Sequence, residues 1–400
     1  MPDLLRILLA VALALPTVYL SVVALYLALL GVGAWRFRVR ALPLAGDPPR
    51  FALLIPAHNE SGQIANVVKD ALSQDYPPER RMVFVIADNC TDDTAARARE
   101  EGASVFERND PSLRGKGQAL DWCLREQRTT LEQYDLIALV DADMIIDRRF
   151  LAELAQSFSE EGVEVVQSLN TVANPDASWR AAFGYMGFTT INFTRPAGRV
   201  WLGGTAELRG SGMAFRAPLL LRYGWPAHSI AEDIEFSKQL LLDGVRIGFN
   251  PRAKVTSDIP LQARQANVQQ RRWEGGKLHI VKTYLPEALR RAAARPSVAH
   301  VDAVLDMLVP PQSVLFLLLA ATLIGASLVH PAWALWIAAC GGMVAFCIIT
   351  GLLLQRAPLK VWLYLLALPA FLAWKVPLYA GLLLRRGGQG WNRTPRDAEL

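Results

Sequence analysis

Three hydrophobic patterns follow one another along the chain. Residues 4–34 are almost wholly apolar, with no charge after Arg6, and exceed the roughly 20 residues needed to cross a bilayer. From residue 51 the pattern becomes an alternation. Short apolar runs at 51–55, 82–87, 104–106, 136–140 and 163–169 predict strands, and helically spaced apolar positions between them (Ile64, Val67, Val68 and Leu72; then 94–101 and 119–126) predict helices. Such an alternation means βαβ units and a parallel sheet covered on both faces. A helical stretch at 181–193 is rich in aromatics, and a further helix opens at Ala231 and runs through Phe236, Leu240 and Leu241. Near the C-terminus the long apolar pattern returns. Residues 302–309 before Pro310-Pro311 predict an interfacial helix, 313–329 and 333–354 predict spans, and the run at 361–384 is interrupted by Pro369, Lys375 and Pro377.

This patterning divides the 400 residues into a membrane anchor at 1–40, a proline-bearing linker at 41–50, an α/β catalytic domain at 51–285, an interfacial segment at 286–311, a membrane region at 312–386 and a tail at 387–400. A signal peptide is the competing reading of the first run. Its length and the lack of a small-residue cleavage site favour a retained anchor. Arg36, Arg38 and Arg40 follow directly, so the positive-inside rule puts the α/β domain in the cytoplasm at the inner membrane. Arg385-Arg386 and the tail point to the same side, which a single crossing at 361–384 contradicts; a broken hairpin or an interfacial helix reconciles the two.

Composition narrows the classes. The net charge of +5 sits largely in juxtamembrane arginines and between Arg264 and Arg295. With no long basic run interleaved with aromatics, nucleic acid is not an expected partner and membrane lipids are. Cys90, Cys123, Cys340 and Cys347 show no paired spacing, which argues against a zinc site and a disulfide framework.

The candidate chemistry lies at the predicted strand ends. The run at 136–140 opens onto Asp141-Ala142-Asp143, two carboxylates of the kind that hold a hard cation such as Mg²⁺ or Mn²⁺ against a diphosphate, although the same triplet also serves as a polar turn. Asn59 and Glu60 follow the first strand, and Asp88 and Asp92 the second. In an open α/β sheet all would meet at the C-terminal edge, where a nucleotide is gripped. Asn59, Asp88 and Asp92 also suit helix caps and turns; for Asp92 the two readings are even, while Asp88 sits directly at a strand end and the cap can come from Thr91 or Asp92, which favours a ligand role. Gly115-Lys116-Gly117 lacks P-loop spacing, which excludes an ATPase, while Lys116 remains a phosphate contact. Gly203-Gly204 and Gly210 to Met213 let backbone approach a ligand. Asp233, in Ala231-Glu232-Asp233-Ile234-Glu235, is a candidate general base; Glu232 and Glu235 can simply complement the helix dipole. Arg272-Trp273 offers a fork for phosphate beside a flat face for a sugar, or an interfacial anchor.

In order and spacing, PAHNE at 56–60, ADNCTDD at 87–93, DADM at 141–144, AEDIE at 231–235 and QQRRW at 269–273 resemble the inverting family 2 glycosyltransferases, in particular the membrane-integrated cellulose, chitin and hyaluronan synthases and ceramide glucosyltransferases. The resemblance covers about residues 51–285. It implies a GT-A (Rossmann-like) domain flanked by transmembrane helices, a nucleotide-diphosphate sugar donor, usually a UDP-sugar, and Mg²⁺ or Mn²⁺. By position, Ala57 and Glu60 would lie at the base and ribose, Asp88 at the uracil, Asp141 at the nucleotide sugar, Asp143 on the metal, and Asp233 would be the base. Gln269, Arg272 and Trp273 fill the pattern that lines the acceptor and diphosphate site. Three readings follow: a polysaccharide synthase acting on a glycan, a transferase placing one sugar on a membrane lipid, and a scaffold with a degenerate transferase domain. Product size separates the first two.

Overall fold

The computed structural model describes residues 3–39, 46–259 and 263–384, with the side chains of 263–274 and 377–384 excepted. Residues 41–45 of the expected linker and the whole of the tail at 387–400 lie outside the described residues. The chain forms two compact units. One is built from Arg38–Asn174 and Thr205–Pro260, the other from Met1–Phe37, Pro175–Gly204 and Leu261–Gly387.

The first unit is α/β. Its strands are β1 (Phe51–Ala57), β2 (Arg81–Asp88), β3 (Ser104–Arg108), β4 (Leu136–Leu139), β5 (Ile145–Ile146), β6 (Val165–Val172), β7 (Met213–Arg216) and β8 (Ile247–Ser257), in the spatial order β3-β2-β1-β4-β7-β6-β8-β5. β3, β2, β1 and β4 are parallel. They read as continuous apolar runs because both faces are covered: Phe51 to Ile55 and all of β4 are buried. The helix Ile64–Leu72 turns Ile64, Val67, Val68 and Ala71 inward at helical spacing, in one core with Phe51, Leu53 and Ile55 of β1. Each such aliphatic contributes about 1.5–3 kcal/mol through burial.

The sheet is mixed, not parallel as its first half suggests. β7 runs antiparallel to both β4 and β6, while β6 and β8 pair in parallel. Four residues after a glycine-rich turn are too few to show a period. β8 was hidden for another reason: it carries Gly248 and Pro251, which read as loop, and the ladder accommodates them by a register shift at Ser168/Leu169.

The second unit is helical. Among the described residues, four helices are long and apolar enough to cross a membrane by length and composition: Asp3–Arg36, Gln312–Val329, Pro331–Leu354 and Leu359–Val376. The last begins with the short helix Leu359–Leu363 and a 3-10 turn, Tyr364–Ala367, before Leu368–Leu384. The aromatic stretch forms Trp179–Thr189, a π-helical turn at Thr190–Thr194, and Arg195–Trp201. Gly198 lets this last helix approach the first span so closely that any Cβ there would strike the backbone of Leu30. Buried charges tie the unit together. Arg199 Nε donates to Asp302 Oδ2 at 2.8 Å, Arg195 and Arg199 both engage Asp306, and Tyr26 Oη donates to Asp302 Oδ1 at 2.7 Å.

Candidate active site

The register of the parallel strands sets Ala57 beside Ala87 and Leu54 beside Leu139, so the loops after β1, β2 and β4 leave the sheet at one edge. The first two are knitted together. Asn59, with φ 55°, accepts the Thr91 amide at 2.7 Å. Thr94 Oγ1 accepts the Glu60 amide at 2.8 Å. His58 Nδ1 lies 2.7 Å from the Asp88 carbonyl, and Cys90 Sγ lies 3.6 Å from the carbonyl of Ala57. Asp92, just before the N-cap Asp93, accepts the amides of Thr94 at 3.0 Å and Ser61 at 3.2 Å, so it ties the start of the helix Thr94–Glu100 to the loop after β1. Although its partial burial would raise the pKa, these bonds hold it below the usual carboxylate range. Asp88 is buried, and Arg108 at the tip of β3 pairs with its Oδ1 at 2.6 Å.

A second group gathers around Lys116, the first residue of the helix Lys116–Glu126. Its Nζ lies 2.5 Å from Asp141 Oδ1 and 3.9 Å from Glu232 Oε1, and it donates to the Gly210 carbonyl. Asp141 is oriented by its own amide, which donates to Ser211 Oγ at 3.0 Å. Glu232 and Asp233 form the first turn of the helix Glu232–Leu242. Both acids reach Gly210: a Cβ built there would lie in ordinary contact, 3.6 Å from Asp233 Oδ2 and 3.9 Å from Asp141 Oδ2, and it is the φ of 75° that calls for glycine. The sequence-predicted Lys116, Asp141 and Asp233 thus meet directly around one glycine. Ala57 and Asp88 end β1 and β2, Glu60 lies in the loop after β1, and Asp143 is exposed in the turn after β4. The side chains of Gln269, Arg272 and Trp273 lie outside the described residues, on the helix Ala263–Ala294.

The electrostatics are unbalanced. Burial first, and then the charge of Asp233, push Glu232 up to about 8, against the opposing pull of Lys116. Asp233 is also raised by burial, with Lys116 and Arg209 opposing. Desolvation pulls Lys116 down, but Asp141 and Glu232 outweigh it and hold the ammonium above its ordinary range. Three acids therefore share one amine, and burial raises the proton affinity of two of them.

Sequence reading missed the braces behind this group. Glu207 is buried between Lys238, on the helix that carries Asp233, and Arg209, whose Nη2 lies 2.5 Å away. Ser237 Oγ takes the Leu208 amide at 2.7 Å and donates to the Asp233 carbonyl at 2.9 Å. Gln167 of β6 accepts the Arg209 amide and donates to the Ser211 carbonyl, both at 2.9 Å. No local signal marks them: Lys238 is two residues from both Phe236 and Leu240, which puts it on roughly the opposite side of the helix from that apolar pair.

The donor set suits a hard divalent cation. Asp141 and Asp143 would offer carboxylate oxygens just after β4, and among the described residues no group of three or more His, Cys, Asp or Glu could hold a metal. Mg²⁺ and Mn²⁺ sites of this kind are completed by water and substrate phosphate.

A family model described as "Glycosyltransferase like family 2" matches residues 48–276, the span that supplies every strand and both acidic groups. The chain belongs to this glycosyltransferase family. Among family 2 relatives, a beta-monoglucosyldiacylglycerol synthase from Nostoc sp. is 31% identical over 259 residues, covering 62% of this chain and 53% of the relative. A poly-beta-1,6-N-acetyl-D-glucosamine synthase from Staphylococcus aureus is 23% identical over 227 residues, covering 56% of this chain and 53% of the relative. The chain spans about half the length of these curated relatives. The solved mannosyltransferase from Pyrobaculum calidifontis, in complex with GDP-mannose and Mn²⁺, superposes with a TM-score of 0.54 at 20% identity, over 91% of this chain and 99% of that one. This likeness carries the fold: the family 2 unit is a GT-A domain with a mixed sheet, accompanied in sequence by candidate membrane helices.

Proposed function

We propose that the chain is an inverting, nucleotide-sugar-dependent glycosyltransferase that adds one sugar to a membrane lipid at the cytoplasmic face of the inner membrane. The observation that carries this reading is the convergence of Lys116, Asp141, Glu232 and Asp233 on Gly210 at the C-terminal edge of the sheet. The acceptor hydroxyl attacks the anomeric carbon, the bond from that carbon to the diphosphate oxygen breaks, and the nucleoside diphosphate leaves with the electron pair. Asp233, held ready by its raised proton affinity, takes the hydroxyl proton as general base. Lys116 offsets negative charge on the donor diphosphate. Ala57, Glu60 and Asp88 hold the nucleotide, which is a UDP-sugar in this reading. Asp143, with Asp141, would hold Mg²⁺ or Mn²⁺, which supplies positive charge against the diphosphate when bound. Gln269, Arg272 and Trp273 are assigned to the acceptor and the diphosphate.

The lipid acceptor is favoured by the higher identity to the diacylglycerol glucosyltransferase than to the polysaccharide synthase, and the candidate spans are consistent with an acceptor presented in a bilayer. The polysaccharide synthase relative supports the second reading, extension of a glycan. Purified protein in lipid, given Mg²⁺ or Mn²⁺ and a panel of UDP- and GDP-sugars, separates them. One sugar on a lipid confirms the first, a ladder or polymer confirms the second, and no nucleoside diphosphate release with any donor contradicts both.

A further inference from the structure

The helical unit contains a cluster of cations and aromatic rings that sugar transfer does not use. Trp179 and Arg180 begin the helix Trp179–Thr189, and Ser178 caps it by accepting the Ala181 amide at 3.1 Å. The Arg180 guanidinium lies 4.4 Å from the centre of the Trp179 ring and 5.6 Å from that of Trp374. The Lys375 ammonium lies 5.5 Å from the same Trp374 ring and 5.6 Å from Phe371. The rings close on one another: Trp179 meets Trp374 edge-on at 6.0 Å, and Phe183 stacks on Phe371 at 4.4 Å.

Two positive side chains therefore share one tryptophan next to the positive end of a helix. An ordinary interfacial anchor keeps its charged head in water, yet Lys375 is only 3% exposed. Arg180 Nε is buried without a hydrogen-bond partner, an open donor of the kind that guanidinium groups use to grip phosphate and carboxylate oxygens. Lys375 also falls within the apolar run Leu359–Val376 that qualifies as a membrane span, where an ionisable residue marks a site more often than a surface.

We infer that Arg180 and Lys375, walled by Trp179, Phe371 and Trp374, form a binding site for the phosphate headgroup of an anionic membrane lipid. The arginine fork and ammonium meet the phosphate oxygens, and the aromatic walls pack against the first carbons of the lipid. The aromatic surround selects a lipid-borne phosphate over the free ion. This site is independent of the transfer chemistry and does not require that the lipid be the sugar acceptor.

The test uses the full chain, delipidated in detergent and titrated separately with phosphatidylglycerol, phosphatidylcholine and inorganic phosphate, with binding counted by native mass spectrometry. Wild type is expected to retain phosphatidylglycerol at least about tenfold more tightly than phosphatidylcholine, a difference of about 1.4 kcal/mol. The double variant Arg180→Met with Lys375→Met is expected to lose that preference, Arg180→Lys to keep most of it, and Lys360→Met, an exposed lysine paired with Asp176 at 3.6 Å, to leave it unchanged. Equal retention of the two lipids by wild type, which needs no variant to fold, overturns the proposal. So does an unchanged preference in a folded double variant, or displacement of the lipid by an equal concentration of inorganic phosphate. Because binding is read without turnover, a protein that transfers no sugar but passes this test leaves the lipid site standing.

Discussion

The two units each contain a charge group, one closed off from water and one partly open to it, and the groups differ in balance. In the helical unit, Arg195 and Arg199 face Asp302 and Asp306, with Tyr26 bonded to Asp302. Positive and negative groups match, and every side chain of the quartet is at most 6% exposed. In the α/β unit, Asp141, Glu232 and Asp233 gather around the single ammonium of Lys116, and two of the three acids are pushed up in pKa. A closed group gains most of its attraction on folding and has nothing left to offer a ligand. An unbalanced one keeps unmet demand, which a bound substrate, cation or proton can meet. The contrast assigns architecture to the first group and chemistry to the second.

Breaking the closed group gives the largest expected effect on the fold. Arg199→Met leaves buried aspartates short of a partner and should cost roughly 3–5 kcal/mol, read as a large fall in the midpoint of thermal unfolding; a fall comparable to that of an exposed surface variant would show that the quartet is not structural. Removing the single amine of the open group should instead act on function. Lys116→Met should lower kcat/KM by roughly 10- to 100-fold, the value of one or two charged hydrogen bonds. Because Lys116 holds both acids down, the acid limb of the pH–rate profile should move to higher pH in that variant. A profile that stays in place would remove Lys116 from the acids' electrostatics.

A further test concerns Glu232 and reads a slope with pH. Its carboxyl titrates near 8 in the native state against 4.5 ordinarily, so between those values the folded chain keeps a proton that the unfolded chain has lost. Wild type should lose stability as pH rises from about 5 to about 8. Glu232→Gln has no such proton, so its stability relative to wild type should climb over that window and level off above it. A difference independent of pH would contradict the placement of Glu232 in the cluster.

Much of this arrangement was legible in the chain, for identifiable reasons. The buried parallel strands announce themselves as apolar runs, and the acids at their ends were placed at one edge before any coordinates. β7 and β8 were not legible, because one is too short for a period and the other carries Gly248 and Pro251 on a bulged ladder. Asp92, for which cap and ligand are equally open on sequence, accepts the first amide of the next helix from one position before its N-cap Asp93. The parallel expectation failed at β7, where direction is set by partners distant in sequence. The brace of Glu207, Arg209 and Lys238 stayed hidden for the same reason, since nothing local says that a glutamate at 207 and a lysine at 238 meet.

The central claim is that Asp233 takes the acceptor's proton. Its most direct test is Asp233→Asn, measured in parallel for donor binding by calorimetry and for nucleoside diphosphate release in the presence of acceptor lipid. The account predicts a donor Kd within about twofold of wild type and a loss of roughly 10²- to 10⁴-fold in kcat, the contribution of one positioned base. Turnover equal to that of wild type would contradict it.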